Sequence, residues 1–381
     1  MKYMGSKRSM LRNGLGEALS AAACDAKRVV DLFTGSGAVA WYAAEVLKKP
    51  VLACDLQLFA TTVAAAVVTR TSKNDVSVWW PSWLARSKFH LENTSVWLDA
   101  QALQHSLRNL TPDVAAQQAR LLAAGQPGVV TRSYGGFYFS PWQALWIDAL
   151  RTTLPDDADS RAVALAALIQ AASKCAASPG HTAQPFKPNE TAGRFLIEAW
   201  ERDLPRIVLE AASAIGGRYA AFQGEVICGD ANNAVALLGE GDLVFIDPPY
   251  SGVHYSRFYH VLETIARGDA GDVSGSGRYP PPSERPFSNY SVRSKSEEAL
   301  RSLLSAISSR GATAIVTFPA GSASNGLSGE VVRSIAAEFF AIKQERISGK
   351  FSTLGGNAKS RAARQDTHEL ILTLVPAGAS L

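Results

Sequence analysis

Apolar runs that lack polar alternation recur along the chain at residues 28–33 (RVVDLF), 51–54 (VLAC), 225–228 (EVIC), 243–246 (LVFI), 313–318 (TAIVTF) and 369–375 (ELILTLV). Short runs without a wet face predict strands covered on both sides. Helical periodicity follows them at 38–47, 58–68, 255–267, 295–309 and 328–341. This alternation predicts a parallel sheet with right-handed crossovers. From 71 to 217 the pattern changes. Helical stretches at 96–110, 114–124, 141–153, 160–177 and 190–215 are separated by aromatic, Gly and Pro breaks, with no buried strand among them. The breaks hold Trp79-Trp80-Pro81, Tyr134-Gly135-Gly136-Phe137-Tyr138-Phe139 and Ser178-Pro179-Gly180-His181. The pattern predicts one doubly wound α/β domain, residues 1–70 and 218–381, interrupted by a mostly helical insertion at 71–217. Residues 268–290, rich in Gly, Ser and Pro, read as a mobile loop.

Composition changes this picture little. At 381 residues, 47% hydrophobic and 19% charged, the chain can bury a core without staples. Its net charge of +4 conceals a cluster, since residues 285–364 hold 12 Lys or Arg against 5 Asp or Glu. Four cysteines without ligand spacing suggest neither a zinc site nor a disulfide framework and read as reduced and intracellular. His254 and His260 lack a second ligand pair, so no metal is expected. The basic start (Lys2, Lys7, Arg8) leads into Asn13, Gly14, Gly16, Glu17 and Ser20, unlike a signal peptide, and no apolar run reaches membrane-spanning length. A cytoplasmic protein without a membrane partner is expected.

The chemistry gathers at two strand ends. After the first strand comes Asp31-Leu32-Phe33-Thr34-Gly35-Ser36-Gly37, a turn whose glycines let a ligand approach the backbone at a helix start. With Ala40 it satisfies G-x-G-x-x-A, and Asp55 lies where an acid would hold a ribose hydroxyl. An acid at Asp31 would repel a pyrophosphate and suits the ammonium of an amino-acid moiety, which favours S-adenosylmethionine over a dinucleotide. A tight turn without a ligand is the third reading. After LVFI comes Asp247-Pro248-Pro249-Tyr250. Two prolines cannot continue a ladder, so the chain leaves the sheet at its carboxyl edge, where ligands bind in open α/β sheets. Asp247 and the Pro248 carbonyl can accept the N–H groups of an exocyclic amine, and Tyr250 can stack on an extruded base. A surface Pro-Pro turn is the plain alternative.

With these residues the chain resembles the DNA adenine-N6 methyltransferases of the DPPY type, the DNA adenine methylase family in its α motif order. Lys2-Tyr3-Met4-Gly5-Ser6-Lys7 looks like the family's N-terminal cofactor motif, and Asp31 to Gly37 its methionine-binding motif. Asp55 matches the ribose acid, Asp230 the acid near the cofactor's adenine, and Asp247 to Tyr250 the catalytic motif. The resemblance implies a Rossmann-like methyltransferase sheet with 71–217 as target-recognition insertion. It implies S-adenosylmethionine held by Tyr3, Lys7, Asp31, Phe33, Thr34, Gly35, Ser36, Gly37, Asp55, Asp230 and Asp247, with Asp247, Pro248, Pro249 and Tyr250 catalytic. Double-stranded DNA is the implied substrate, with base flipping and direct methyl transfer. A restriction-modification setting, with or without a cognate endonuclease, stays open. Tyr3 departs from the Trp that relatives often carry.

Direct attack by the amine needs no covalent intermediate, so positioning and electrostatics carry the rate. No Pro-Cys dipeptide occurs, which argues against cytosine-C5 chemistry. Arg257 and Tyr259, on the helix after the catalytic loop, could face DNA or pack that helix. Lys350, Lys359, Arg361 and Arg364 surround a Ser/Gly stretch suited to phosphates, or form a solvated face. Tyr134 and His181 could pry apart base pairs or belong to the insertion's core. An RNA or N4-cytosine amino-methyltransferase, and a silent DNA-binding partner subunit, remain as alternatives.

Overall fold

The computed structural model describes residues 3, 5–350 and 366–376, excepting the side chains of 346–350 and 366–367. The chain divides into two compact units. One comprises Gly5–Ser72, Tyr219–Tyr255 and the described part of Pro286–Leu381; the other comprises Tyr3, Lys73–Arg218 and Ser256–Arg285.

The first unit is built on a seven-stranded sheet. Its strands are β1 (Arg28–Asp31), β2 (Val51–Asp55), β3 (Glu225–Cys228), β4 (Asp242–Ile246), β5 (Thr313–Pro319), β6 (Phe340–Lys350) and β7 (Asp366–Pro376), in the order β3-β2-β1-β4-β5-β7-β6. β1 to β5 are parallel, and β7 enters antiparallel between β5 and β6. Both faces are covered, as the unbroken apolar runs predict. On one, Val30, Leu52, Val244, Val316 and Leu372 pack with Leu300, Leu303, Leu304 and Ile335 from helices Ser296–Ser309 and Gly329–Ala337. Strand order reverses between β1 and β4, so their carboxyl ends frame the crevice where open α/β sheets bind ligands. Asp31 ends β1, and Asp247 follows β4.

β6 departs from the expected pattern. The sequence reads as a helix to 341 followed by a basic surface run, whereas the helix ends at Ala337 and Phe340–Lys350 forms the sheet edge. Phe340 and Ile342 pack toward the core while Lys343 and Glu345 face outward and pair at 3.4 Å. Charge on an edge strand blocks further pairing, which is why this strand looks like surface in the sequence.

The second unit is helical. Its helices are Val76–Glu92, Trp97–Ser106, Pro112–Ala123, Val129–Tyr134, Pro141–Thr152, Ala158–Cys175, Gly193–Trp200 and Leu204–Gly216, with most of Tyr255–Arg267. Trp79-Trp80-Pro81, read as a break, lies inside the first of these. Asp75 caps that helix, and Trp83, fully buried, donates its indole N–H to the Leu150 carbonyl at 3.0 Å. The single helix expected at 190–215 is two, because Asp203 caps a new start with Pro205 in its first turn. Within this unit the Asp148 carboxylate accepts the N–H groups of Val130 and Thr131 at 2.9 and 2.8 Å and the Thr131 hydroxyl at 2.6 Å. Of residues 268–290, the stretch to Arg285 belongs here and carries an isolated bridge between Ser274 and Tyr279.

Candidate active site

The turn after β1 is shaped by its glycines. Gly35 and Gly37 have φ of 50° and 75°, and Gly37 opens helix Ala38–Glu45. A side chain at either position would be strained. The Gly35 N–H donates to Asp55 Oδ2 at 2.8 Å, and the Gln57 N–H to Asp55 Oδ1 at 2.9 Å, so the acid at the end of β2 fixes the loop beside it. Thr34 and Ser36 are buried, with Ser36 Oγ 3.2 Å from Ser6 Oγ.

Asp31 is 1% exposed, and burial pushes its carboxyl up to about 8; Asp55 and Asp247 add to this, while the Phe33 and Ala40 N–H groups oppose it. Its Oδ1 accepts the Phe33 N–H at 3.3 Å, but Oδ2 is buried without a partner among the described residues. A buried acceptor left open costs stability and marks a place for a donor that the described residues do not supply. An ammonium group suits it. Phe33 stands edge-on to the buried ring of Tyr290, whose hydroxyl donates to Asn232 Oδ1 at 2.7 Å. Asp230 caps the turn that holds Asn232, and Gly229 beside it donates to the Asp55 carbonyl.

Across the crevice Asp247 meets Lys7. The Lys7 ammonium lies 3.0 Å from Asp247 Oδ1 and 3.1 Å from Glu369 Oε1 on β7, and the Thr317 hydroxyl donates to Asp247 Oδ1 at 2.9 Å. Burial raises the carboxyls of Asp247 and Glu369, and Lys7 opposes this in both. Lys7 itself is raised: burial works against its charge, and the two carboxylates outweigh it. Tyr250 packs edge-on to Tyr255 and Phe318, and burial raises its phenol. Gly5, at φ 71°, passes so close that a Cβ would lie 2.8 Å from the Tyr250 hydroxyl oxygen. The Pro249 carbonyl accepts from the buried amide of Asn325, which also binds the Tyr290 carbonyl. The sheet unit thus gathers Lys7, Asp31, Phe33 to Gly37, Asp55, Asp230 and Asp247 to Tyr250 around one end of the sheet.

Other expected site residues lie elsewhere. Tyr3 belongs to the helical unit, its ring stacked on Tyr259 at 4.6 Å. Tyr259 and Tyr134, for which the sequence leaves DNA contact and core packing both open, are fully buried, and Tyr134 shares a 2.8 Å hydrogen bond with Thr264. Core packing claims both rings. Arg257 is exposed, with its guanidinium 4.6 Å above the Tyr279 ring, and His181 lies against Phe258. Lys350 ends β6 and its side chain lies outside the described residues, as do Lys2, Lys359, Arg361 and Arg364. Glu369, Asn325 and Tyr290 were not anticipated from sequence. Among the described residues no group of three or more His, Cys, Asp or Glu is placed to hold a metal, and no helix is long and apolar enough to cross a membrane.

A family model described as D12 class N6 adenine-specific DNA methyltransferase matches residues 3–94 and 208–312, just over half of the chain. The chain belongs to this family, whose reaction requires a methyl donor. Residues of the chain are 50% identical over 56 positions to the Modification methylase LlaI of Lactococcus lactis subsp. lactis, covering 14% of the chain and 8% of that protein. They are 27% identical over 287 positions to the Type II methyltransferase M.FokI of Planomicrobium okeanokoites, covering 72% of the chain and 38% of that protein. The chain therefore spans well under half the length of these relatives.

Proposed function

We propose that the chain is a sequence-specific DNA adenine-N6 methyltransferase using S-adenosylmethionine on a base turned out of the duplex. The observation that carries this is a buried carboxylate with an open oxygen, Asp31, in the same unit as an ion-paired acid, Asp247, beside an aromatic ring, Tyr250. When bound, S-adenosylmethionine supplies an electrophilic methyl on a sulfonium centre. Asp31 would hold the ammonium of its methionine moiety, Asp55 the ribose hydroxyls and Asp230 the adenine side. Asp247 would accept an N–H of the target amine and bear the positive charge that develops, and Tyr250 would stack on the base. The proton leaves afterwards. The helical insertion would recognise the target sequence, and Arg257, His181, Lys350, Lys359, Arg361 and Arg364 would meet the DNA. A cytoplasmic setting, with or without a partner endonuclease, fits this role.

Purified protein incubated with the donor and unmethylated DNA should yield N6-methyladenine within one motif when read at single-base resolution. Methyl groups on RNA or on cytosine N4 alone would overturn the assignment. Donor binding should also titrate. Asp31, raised to about 8 in the free protein, must ionise to pair with an ammonium, so affinity rises from pH 5 to 7 and binding at pH 6 releases close to one proton. Calorimetry in buffers of different ionisation enthalpy measures this. Asp31→Asn should bind roughly 10- to 100-fold more weakly and lose the pH dependence; a variant that keeps both would remove Asp31 from the donor site.

A further inference from the structure

The two oxygens of Asp247 are unequally used. Oδ1 takes both the Lys7 ammonium at 3.0 Å and the Thr317 hydroxyl at 2.9 Å. Oδ2 makes no hydrogen bond among the described residues. Of the three charged side chains in the cluster, Lys7 and Glu369 keep 5% and 3% of their surface and Asp247 keeps 17%. What remains open therefore belongs mainly to the acid.

The carboxylate torsion is soft, and an unrestrained Asp would exchange its oxygens freely. Two donors on one oxygen prevent that, provided both donors are themselves fixed. Thr317 is fixed because it is fully buried in β5. Lys7 is fixed because Glu369 holds it from the other side, and Glu369 can do so because β7 lies against β5 with Glu369 opposite Pro319. Both residues lie outside the segments that the family model matches.

We infer that Thr317 and Glu369 are positioning residues: Thr317 directly, and Glu369 through Lys7, pin Asp247 by Oδ1 and reserve Oδ2 for the target amine. This rests on the proposed reaction, since it assigns the free oxygen to that amine. Thr317 matters for its hydroxyl and Glu369 for its acceptor oxygens.

The test compares Thr317→Val, which keeps the shape, with Thr317→Ser, which keeps the hydroxyl, and Glu369→Leu with Glu369→Gln. In Thr317→Val, kcat for DNA methylation should fall on the order of 10- to 100-fold with donor affinity and KM for DNA unchanged. Thr317→Ser should restore most of it, and Glu369→Gln should retain more activity than Glu369→Leu. A second readout needs no turnover. In protein labelled with 13C at Asp carboxyls, the Asp247 midpoint should move up in Thr317→Val, because a donor to the charged form is lost, and stay in Thr317→Ser. Wild-type rates in Thr317→Val or Glu369→Leu, or equal losses in Thr317→Val and Thr317→Ser, overturn the inference. An unmoved Asp247 midpoint in Thr317→Val does the same. If wild-type protein methylates no adenine while that midpoint still shifts, the reaction falls and the pinning of Asp247 stands.

Discussion

Asp247→Ala is expected to cut methyl transfer by a factor on the order of 10²–10³ or more while donor binding and the fold persist. The acid is the negative group aimed at the amine where positive charge develops, and its loss leaves the amine only the neutral Pro248 carbonyl as acceptor. Stability should survive because Lys7 keeps Glu369 at 3.1 Å, so the cluster passes from one excess negative charge to a neutral pair. Single-turnover transfer measured beside a donor titration distinguishes this from general damage. Transfer at the wild-type rate would show that another group accepts the amine.

Lys7→Met should act on the fold as well as the reaction. One ammonium serves two carboxylates that are both largely buried, and breaking such a group by removing one charge typically costs about 3–5 kcal/mol. The cost depends on pH with a definite sign. Burial already raises the carboxyls of Asp247 and Glu369 with Lys7 opposing, and without Lys7 they rise further. A carboxyl raised in the folded state favours folding when protonated, so stability falls as pH increases above the ordinary carboxylate range. Urea unfolding should therefore show a small difference between wild type and Lys7→Met near pH 5 and a large one near pH 8. An equal difference at both would mean that the two acids are not the source of the loss.

Much of this site could be read in the chain because its parts are local. Asp31 with Gly35 and Gly37, and Asp247 with its two prolines, follow apolar runs whose ends fix where they sit. Glu369 offers no such signal. It is an acid at the head of an apolar run, and its partner Lys7 is 362 positions away, so only the sheet order brings them together. Asn325 and Tyr290 are hidden likewise, since each acts on the loop at Pro249 or Phe33 through tertiary packing. β6 escaped because an edge strand needs just one apolar side, and its outward Lys and Glu resemble a solvated run. The helix at Val76–Glu92 escaped because Pro81 reads as a stop, yet it is carried by a capped and tryptophan-packed helix. DNA contact and core packing could not be separated for Tyr134 and Tyr259 because an aromatic's role depends on the face it takes, which spacing alone leaves open.

The meeting of Lys7 with Glu369 also bears on how the protein is made. During translation, the glycine turn, the acid at Asp55 and the Asp247 loop all emerge from the ribosome before β7 does. Until residue 369 is out, Lys7 has one carboxylate instead of two, and β6 has no neighbour to pair with. A nascent chain can carry every matched segment and still lack the second carboxylate on Lys7, so the ion-paired cluster closes only once β7 has joined the sheet.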